Sequence, residues 1–246
     1  MSDVESFLPS VNHCINLKDK VELNFDQLKK VVREKSIQSM VREEEKLIIL
    51  IDIVSFSQSD TKAQFANIFI FQNYLRSFLF SKSFLFGEKI RINHFIPTGD
   101  GCYIIADVCE SDVALDFLVK MIAGFQSLKD FYDKAMSIRV SALIGDCVPF
   151  MDLAHHKNYV GEGMNEASRI LTGGRNMLET LYMKEGHSEE EAKCFSRNTL
   201  FLGDSLCENL DFYKKDAENF FSFENVPDKH DKMRNIKVLQ GIHEYK

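Results

Sequence analysis

Asp52 interrupts the run LIILIDIV at residues 47–54, whose other members are all apolar. A carboxylate buried among such side chains is costly unless it is paired or bound to a cation. Asp100 lies between Gly99 and Gly101, a sequence suited to the tip of a tight hairpin. If that hairpin pairs beside the Asp52 strand, the two acids converge at one end of a sheet. Converging carboxylates suit a hard divalent cation that also takes phosphate oxygens. Taken singly, each acid has a plainer reading: Asp52 caps the following turn, and Asp100 favours the turn it occupies. Asn165 and Arg169 form a second pair, spaced i, i+4 on one helical face. By spacing alone they are an exposed polar pair with no special role.

The elements that position these residues follow from hydrophobic period. Residues 47–54 read as a buried strand. A helix starts near 57–60 and carries Phe65, Ile68, Phe69, Leu75, Phe78 and Leu79. Residues 90–95 and 102–108 read as the two arms of a hairpin, and 111–130 as a second amphipathic helix. Residues 137–144 read as a strand, followed by a polar loop with His155, His156 and Lys157 and a helix over 161–171. Residues 183–197 read as a charged, exposed insertion, and 199–202 and 236–239 as short strands. The order strand, helix, hairpin, helix, strand predicts an α+β fold, an α/β sandwich of the ferredoxin-like βαββαβ kind. Residues 1–46 read as a helical lead-in with Phe25, Leu28, Val31 and Val32 at helical spacing, ending in a solvated charged stretch from Glu43 to Lys46.

Composition excludes several classes. The 246 residues carry a net charge of −7, which argues against a nucleic-acid binder working through a broad basic surface. The six cysteines form no CxxC pair and no zinc-ligand spacing, so they read as reduced and packed. The sequence MSDVESFLPS lacks the basic and apolar regions of a signal peptide. The longest apolar runs are too short to span a bilayer, so a cytoplasmic protein without membrane partners is expected. Gly161 and Gly163 match neither a Walker nor a dinucleotide-binding motif. His155 and His156 read as a solvated loop pair.

Four blocks, in order, resemble class III nucleotide cyclases. Asp52-Ile53-Val54-Ser55-Phe56-Ser57 resembles the first metal motif of that family, and Thr98-Gly99-Asp100-Gly101 the second. Residues 139–148 (RVSALIGDCV) are similar to the Arg-x-Gly-Ile-His-x-Gly strand, and Asn165 to Arg169 to the Asn-x-Ala-x-Arg helix. Ser141 and Leu143 replace that strand's first Gly and its His without removing an expected catalytic group. The resemblance implies a catalytic domain over residues 47–246 that closes a nucleoside triphosphate to a 3′,5′-cyclic nucleotide, releasing pyrophosphate. It implies two divalent cations, Mg2+ or Mn2+, held by Asp52, Asp100 and the Ile53 carbonyl, which activate the ribose 3′-hydroxyl and steady the triphosphate. Asn165 would orient the ribose, and Arg169 would stabilise charge at the α-phosphate. The metal acids and the Asn/Arg pair would come from opposite subunits of a homodimer, with active sites at the interface. Phe56 lies within the first motif on the substrate side, and Lys229 or Lys237 would contact phosphate.

Purine cyclases read the base at two positions, here Ile96 and Asn158. The first is Lys or Glu in the adenylate and guanylate enzymes, and Ile96 cannot hydrogen-bond a purine edge. Asn158 can donate or accept, so it does not separate uracil from cytosine. Residues 97–101 and 158–163 look more like the bacterial anti-phage, Pycsar-type cyclases that make cyclic CMP or cyclic UMP. That resemblance implies an antiviral signal read by a separate effector. An atypical adenylate cyclase, a degenerate nucleotide-binding regulatory domain and an unrelated ferredoxin-like domain are the alternatives.

Overall fold

Apolar and β-branched side chains hold the backbone extended along Glu44–Ile53, which forms the central strand β1. The computed structural model describes residues 42–86, 88–128, 136–153, 155–207, 219–227 and 233–242, with side chains for all of these except 82–86. On one side β1 pairs antiparallel with β3 (Gly101–Asp107), and on the other with β4 (Ile138–Met151). β2 (Ile92–Pro97) forms the hairpin with β3. Helix α1 (Thr61–Phe86) links β1 to β2, and α2 (Ser111–Ser127) links β3 to β4. The strand order β2-β3-β1-β4 is the expected ferredoxin-like βαββαβ arrangement.

β5 (Lys157–Val160) pairs with the far half of β4, outside the main row of strands. α3 (Glu162–Lys184) and α4 (Glu189–Phe195) then lead to β6 (Thr199–Leu202), which runs parallel to β4. β7 (Asn219–Pro227) and β8 (Met233–Gln240) complete the row in the order β6-β8-β7.

Side chains alternate across β1 and feed two cores. Leu47, Ile49, Ile51 and Ile53 pack with α1 and α2, through Phe71, Leu75, Phe117 and Phe125 among others. Ile48 and Leu50 pack with α3, through Ala167, Ile170, Leu171 and Leu178. Burial on both faces explains why β1 reads as a continuous apolar run rather than an alternating one.

Several expectations shift. β1 starts at Glu44, not 47, because pairing with β4 continues to Glu44↔Cys147 and Lys46 bonds Asp107 at 2.9 Å. Within α1, Phe71, Leu75 and Phe78 are buried, whereas Phe65 and Phe69 are 72% and 58% exposed. The stretch 183–197 holds the end of α3 and all of α4, whose start is fixed by a reciprocal Ser188–Glu191 capping box. β5 and β7 were not expected as strands. The proposed lead-in, apart from residues 42–46, lies outside the described residues.

Candidate active site

Asp52 lies one residue before the end of β1, beside Gly101 of β3 and Arg139 of β4. A Cβ on Gly101 would stand 1.9 Å from the Ile51 carbonyl oxygen, so only glycine lets the hairpin tip lie this close to β1. The Ile53 amide donates to the Asp100 carbonyl at 2.9 Å, which ties the tip down next to Asp52. The structure therefore sets the Asp100 tip against the end of β1 that carries Asp52.

Charge around Asp52 is tightly arranged. Arg139, only 8% exposed, donates Nη2 to Asp52 Oδ2 at 2.9 Å. Its Nη1 lies 3.9 Å from Oε1 of Glu179 on α3, and Arg175 Nε lies 3.9 Å from the same oxygen. Arg139 Nε is buried with no hydrogen-bond partner among the described residues. Burial pushes the Asp52 carboxyl above the ordinary carboxylate range; the Arg139 guanidinium opposes that, and the Asp100 charge adds to it. Burial pulls Arg139 down, against the attraction of Asp52. Arg139 is the residue that sequence reasoning missed as part of the site. Its signal was a single cation in an apolar strand, meaningful only once register places it opposite Asp52, the acid within the apolar part of β1.

Asp52, Asp100 and the Ile53 carbonyl are the groups that would hold a divalent cation. Among the described residues no group of three or more His, Cys, Asp and Glu side chains could hold a metal ion. Two carboxylates with the adjacent Ile53 carbonyl make an open oxygen set, which leaves coordination positions for water and phosphate, as Mg2+ prefers.

Asn165 and Arg169 stand on the first half of α3. The helix start is pressed onto the sheet, since a Cβ on Gly163 would meet Ile48 Cδ1 at 2.5 Å and the Asp146 carbonyl at 2.9 Å. Asn165 is exposed. Arg169 turns back toward the helix start, with Nη1 2.6 Å from Glu162 and 3.8 Å from Glu166. Arg234 of β8 donates Nε to Glu166 as well. Asp146, Glu162, Glu166 and Arg234 help line a pocket of ≈ 330 Å³ there. Asp52 senses Arg175, ten residues beyond Asn165 and so about 15 Å further along the helix axis. The acids and the Asn/Arg pair thus lie toward different parts of α3 within one chain.

Ile96 is half-buried against the cluster that contains Tyr159 and Met164, near the start of α3. Asn158 accepts at Oδ1 from the Tyr159 amide at 2.8 Å. Tyr103 Oη donates to the Met164 carbonyl at 3.2 Å, closing this side of the sheet against α3. Phe56 opens a short 3-10 turn and packs against the α1–α2 core instead, away from the cluster that holds Ile96. Lys229 lies outside the described residues. Lys237 on β8 donates to Ser222 Oγ at 2.6 Å.

No protein-family model and no curated protein matches the chain. Solved structures do match. The catalytic core of a rhodopsin-guanylyl cyclase with converted specificity, in complex with ATPαS, aligns over 81% of this chain and 98% of its own at 18% identity, with TM-score 0.51. The guanylate cyclase domain of RhGC from Catenaria anguillulae, in complex with GTP, aligns over 82% and 100% at 16% identity, TM-score 0.52. A bacterial light-regulated adenylyl cyclase aligns over 94% and 68% at 14% identity, TM-score 0.51. The chain therefore has the fold of class III adenylyl and guanylyl cyclase catalytic domains. No helix among the described residues is long and apolar enough to cross a membrane.

Proposed function

We propose that this chain is a class III nucleotide cyclase that acts in the cytoplasm as a homodimer, forming a 3′,5′-cyclic nucleotide and pyrophosphate from a nucleoside triphosphate. The observation that carries this reading is the Asp52–Asp100 pair, held together by the Gly101 contact on a cyclase fold. Mg2+ or Mn2+ bound there would acidify the ribose 3′-hydroxyl and neutralise the triphosphate. Asn165 then orients the ribose, and the Arg169 guanidinium faces the charge that grows at the α-phosphate. Two features favour sites shared between protomers. The acids and the Asn/Arg pair lie apart along α3, and the β4–β5 hairpin exposes Phe150, Met151, Leu153 and Val160. Such a patch suits burial against a second copy.

For the base, the reading is a pyrimidine triphosphate, giving cyclic UMP or cyclic CMP. The Ile96 side chain offers no hydrogen bond, so the first reading position cannot select a purine edge, while Asn158 can donate to or accept from a pyrimidine edge. With the resemblance of residues 97–101 and 158–163 to anti-phage cyclases, the product is an antiviral defence signal for a separate effector. The test incubates purified protein with Mn2+ and ATP, GTP, CTP or UTP in separate reactions, followed by mass spectrometry. Cyclic UMP or cyclic CMP, abolished by EDTA, is the expected result. Cyclic AMP would replace the pyrimidine reading with an adenylate cyclase, and no product from any triphosphate would reduce the chain to a nucleotide-binding domain.

A further inference from the structure

Arg139 has more donors than its surroundings satisfy. It is buried between two carboxylates, 2.9 Å from Asp52 and 3.9 Å from Glu179, and its Nε finds no acceptor among the described residues. A guanidinium does not lose its proton, so its charge must be matched wherever it lies. In the cation-free chain Asp52 matches it. A divalent cation on Asp52 competes for that carboxylate and places a second positive charge beside Arg139. A buried charge left in that state is strongly unfavourable. The nearest other carboxylate is Glu179, whose side chain is 16% exposed and which already faces Arg139 from α3. Arg175 is the remaining cation near Glu179, one helical turn away.

We propose that Arg139 is a two-position counter-ion: it neutralises Asp52 in the cation-free chain and transfers to Glu179 when Asp52 takes up a divalent cation. Glu179 is then a positioning residue for the cation site, acting through Arg139. The inference rests on the reading of Asp52 as a cation ligand. It predicts that cation uptake depends on a carboxylate that never touches the cation.

The test is Mn2+ titration without nucleotide, read by electron paramagnetic resonance of free Mn2+, on the full chain and four variants. E179Q should raise the Mn2+ dissociation constant about tenfold, because Arg139 then has nowhere to go. E179D, which keeps the charge, should restore most of the affinity. R139Q should bind Mn2+ more tightly than wild type, since Asp52 is free. In the R139Q background, adding E179Q should change affinity by less than about twofold. Thermal melts identify folded variants, and R139M, neutral and of similar length, replaces R139Q in the cycle if R139Q does not fold, with the same loss of dependence on Glu179. If E179Q weakens binding equally with and without Arg139, Glu179 acts on the cation directly and the transfer is wrong. Wild-type affinity in E179Q overturns the transfer alone. No Mn2+ binding by the wild-type chain overturns the cation reading and the transfer with it.

Discussion

Asp52 and Asp100 were legible from sequence because each is out of place by type, an acid inside an apolar strand and an acid between two glycines. Arg139 was not, because its meaning depends on the β1–β4 register that sets it opposite Asp52. The β1–β3 register in turn places Lys46 opposite Asp107, bonded at 2.9 Å. The Lys46 hydrogen bond holds the Asp107 carboxyl below its ordinary value of 3.8. A depressed carboxylate adds stability above the unfolded value, and that stability is lost as pH falls through the lower folded value. The pair is partly exposed and screened, so Asp107→Asn should cost on the order of 1 kcal/mol or less at pH 7. Urea melts of wild type and variant should converge in acid, at and below the ordinary carboxylate range; a difference that persists there would refute the pairing. Thiols give a second check. Burial pushes Cys102 up to about 12 and Cys147 up to about 11, whereas Cys194 is exposed. A thiol reagent at pH 7.5, mapped by peptide mass spectrometry, should modify Cys194 well before Cys102 or Cys147. Equal labelling of Cys102 and Cys194 in the native chain would contradict the packing of β3.

The elements were readable where one period dominated. β1, the hairpin and α2 carry a single pattern, and α2 buries nine side chains as a regular amphipathic helix does. α1 carries FIFQNYLRSFLF over residues 69–80, apolar on most sides, so periodicity did not say which phenylalanines face the core. β5 has four residues, and β7 is a mostly exposed edge strand, so neither produced a strong pattern. The helix that carries Asn165 and Arg169 runs to Lys184, well past the expected 171, because its apolar side continues through Leu178 and Tyr182. Gly101 gives the most direct test at this scale. Gly101→Ala drives a methyl group into the Ile51 carbonyl, a backbone atom that cannot step aside. The variant should lose about 2–4 kcal/mol of stability by urea denaturation and much of its Mn2+ affinity. Wild-type stability would show that the hairpin tip does not lie against β1.

Across the whole molecule, the sequence order of elements gave the ferredoxin-like half-sheet but not the β6-β8-β7 extension that widens it. The extension brings Arg234 of β8 to Glu166, one residue after Asn165, so the second half of the sheet braces the start of α3. What one chain leaves apart, two chains are proposed to join, with the acids of one protomer facing Asn165 and Arg169 of its partner. Mixing two inactive variants tests this most directly. Asp100→Ala and Arg169→Ala chains, each inactive alone, are coexpressed and assayed with Mn2+ and the preferred triphosphate. Random pairing puts half the dimers in mixed form with one intact site each, so activity should return to about a quarter of wild type. Activity no higher than that of the separate variants would contradict a site built across two protomers.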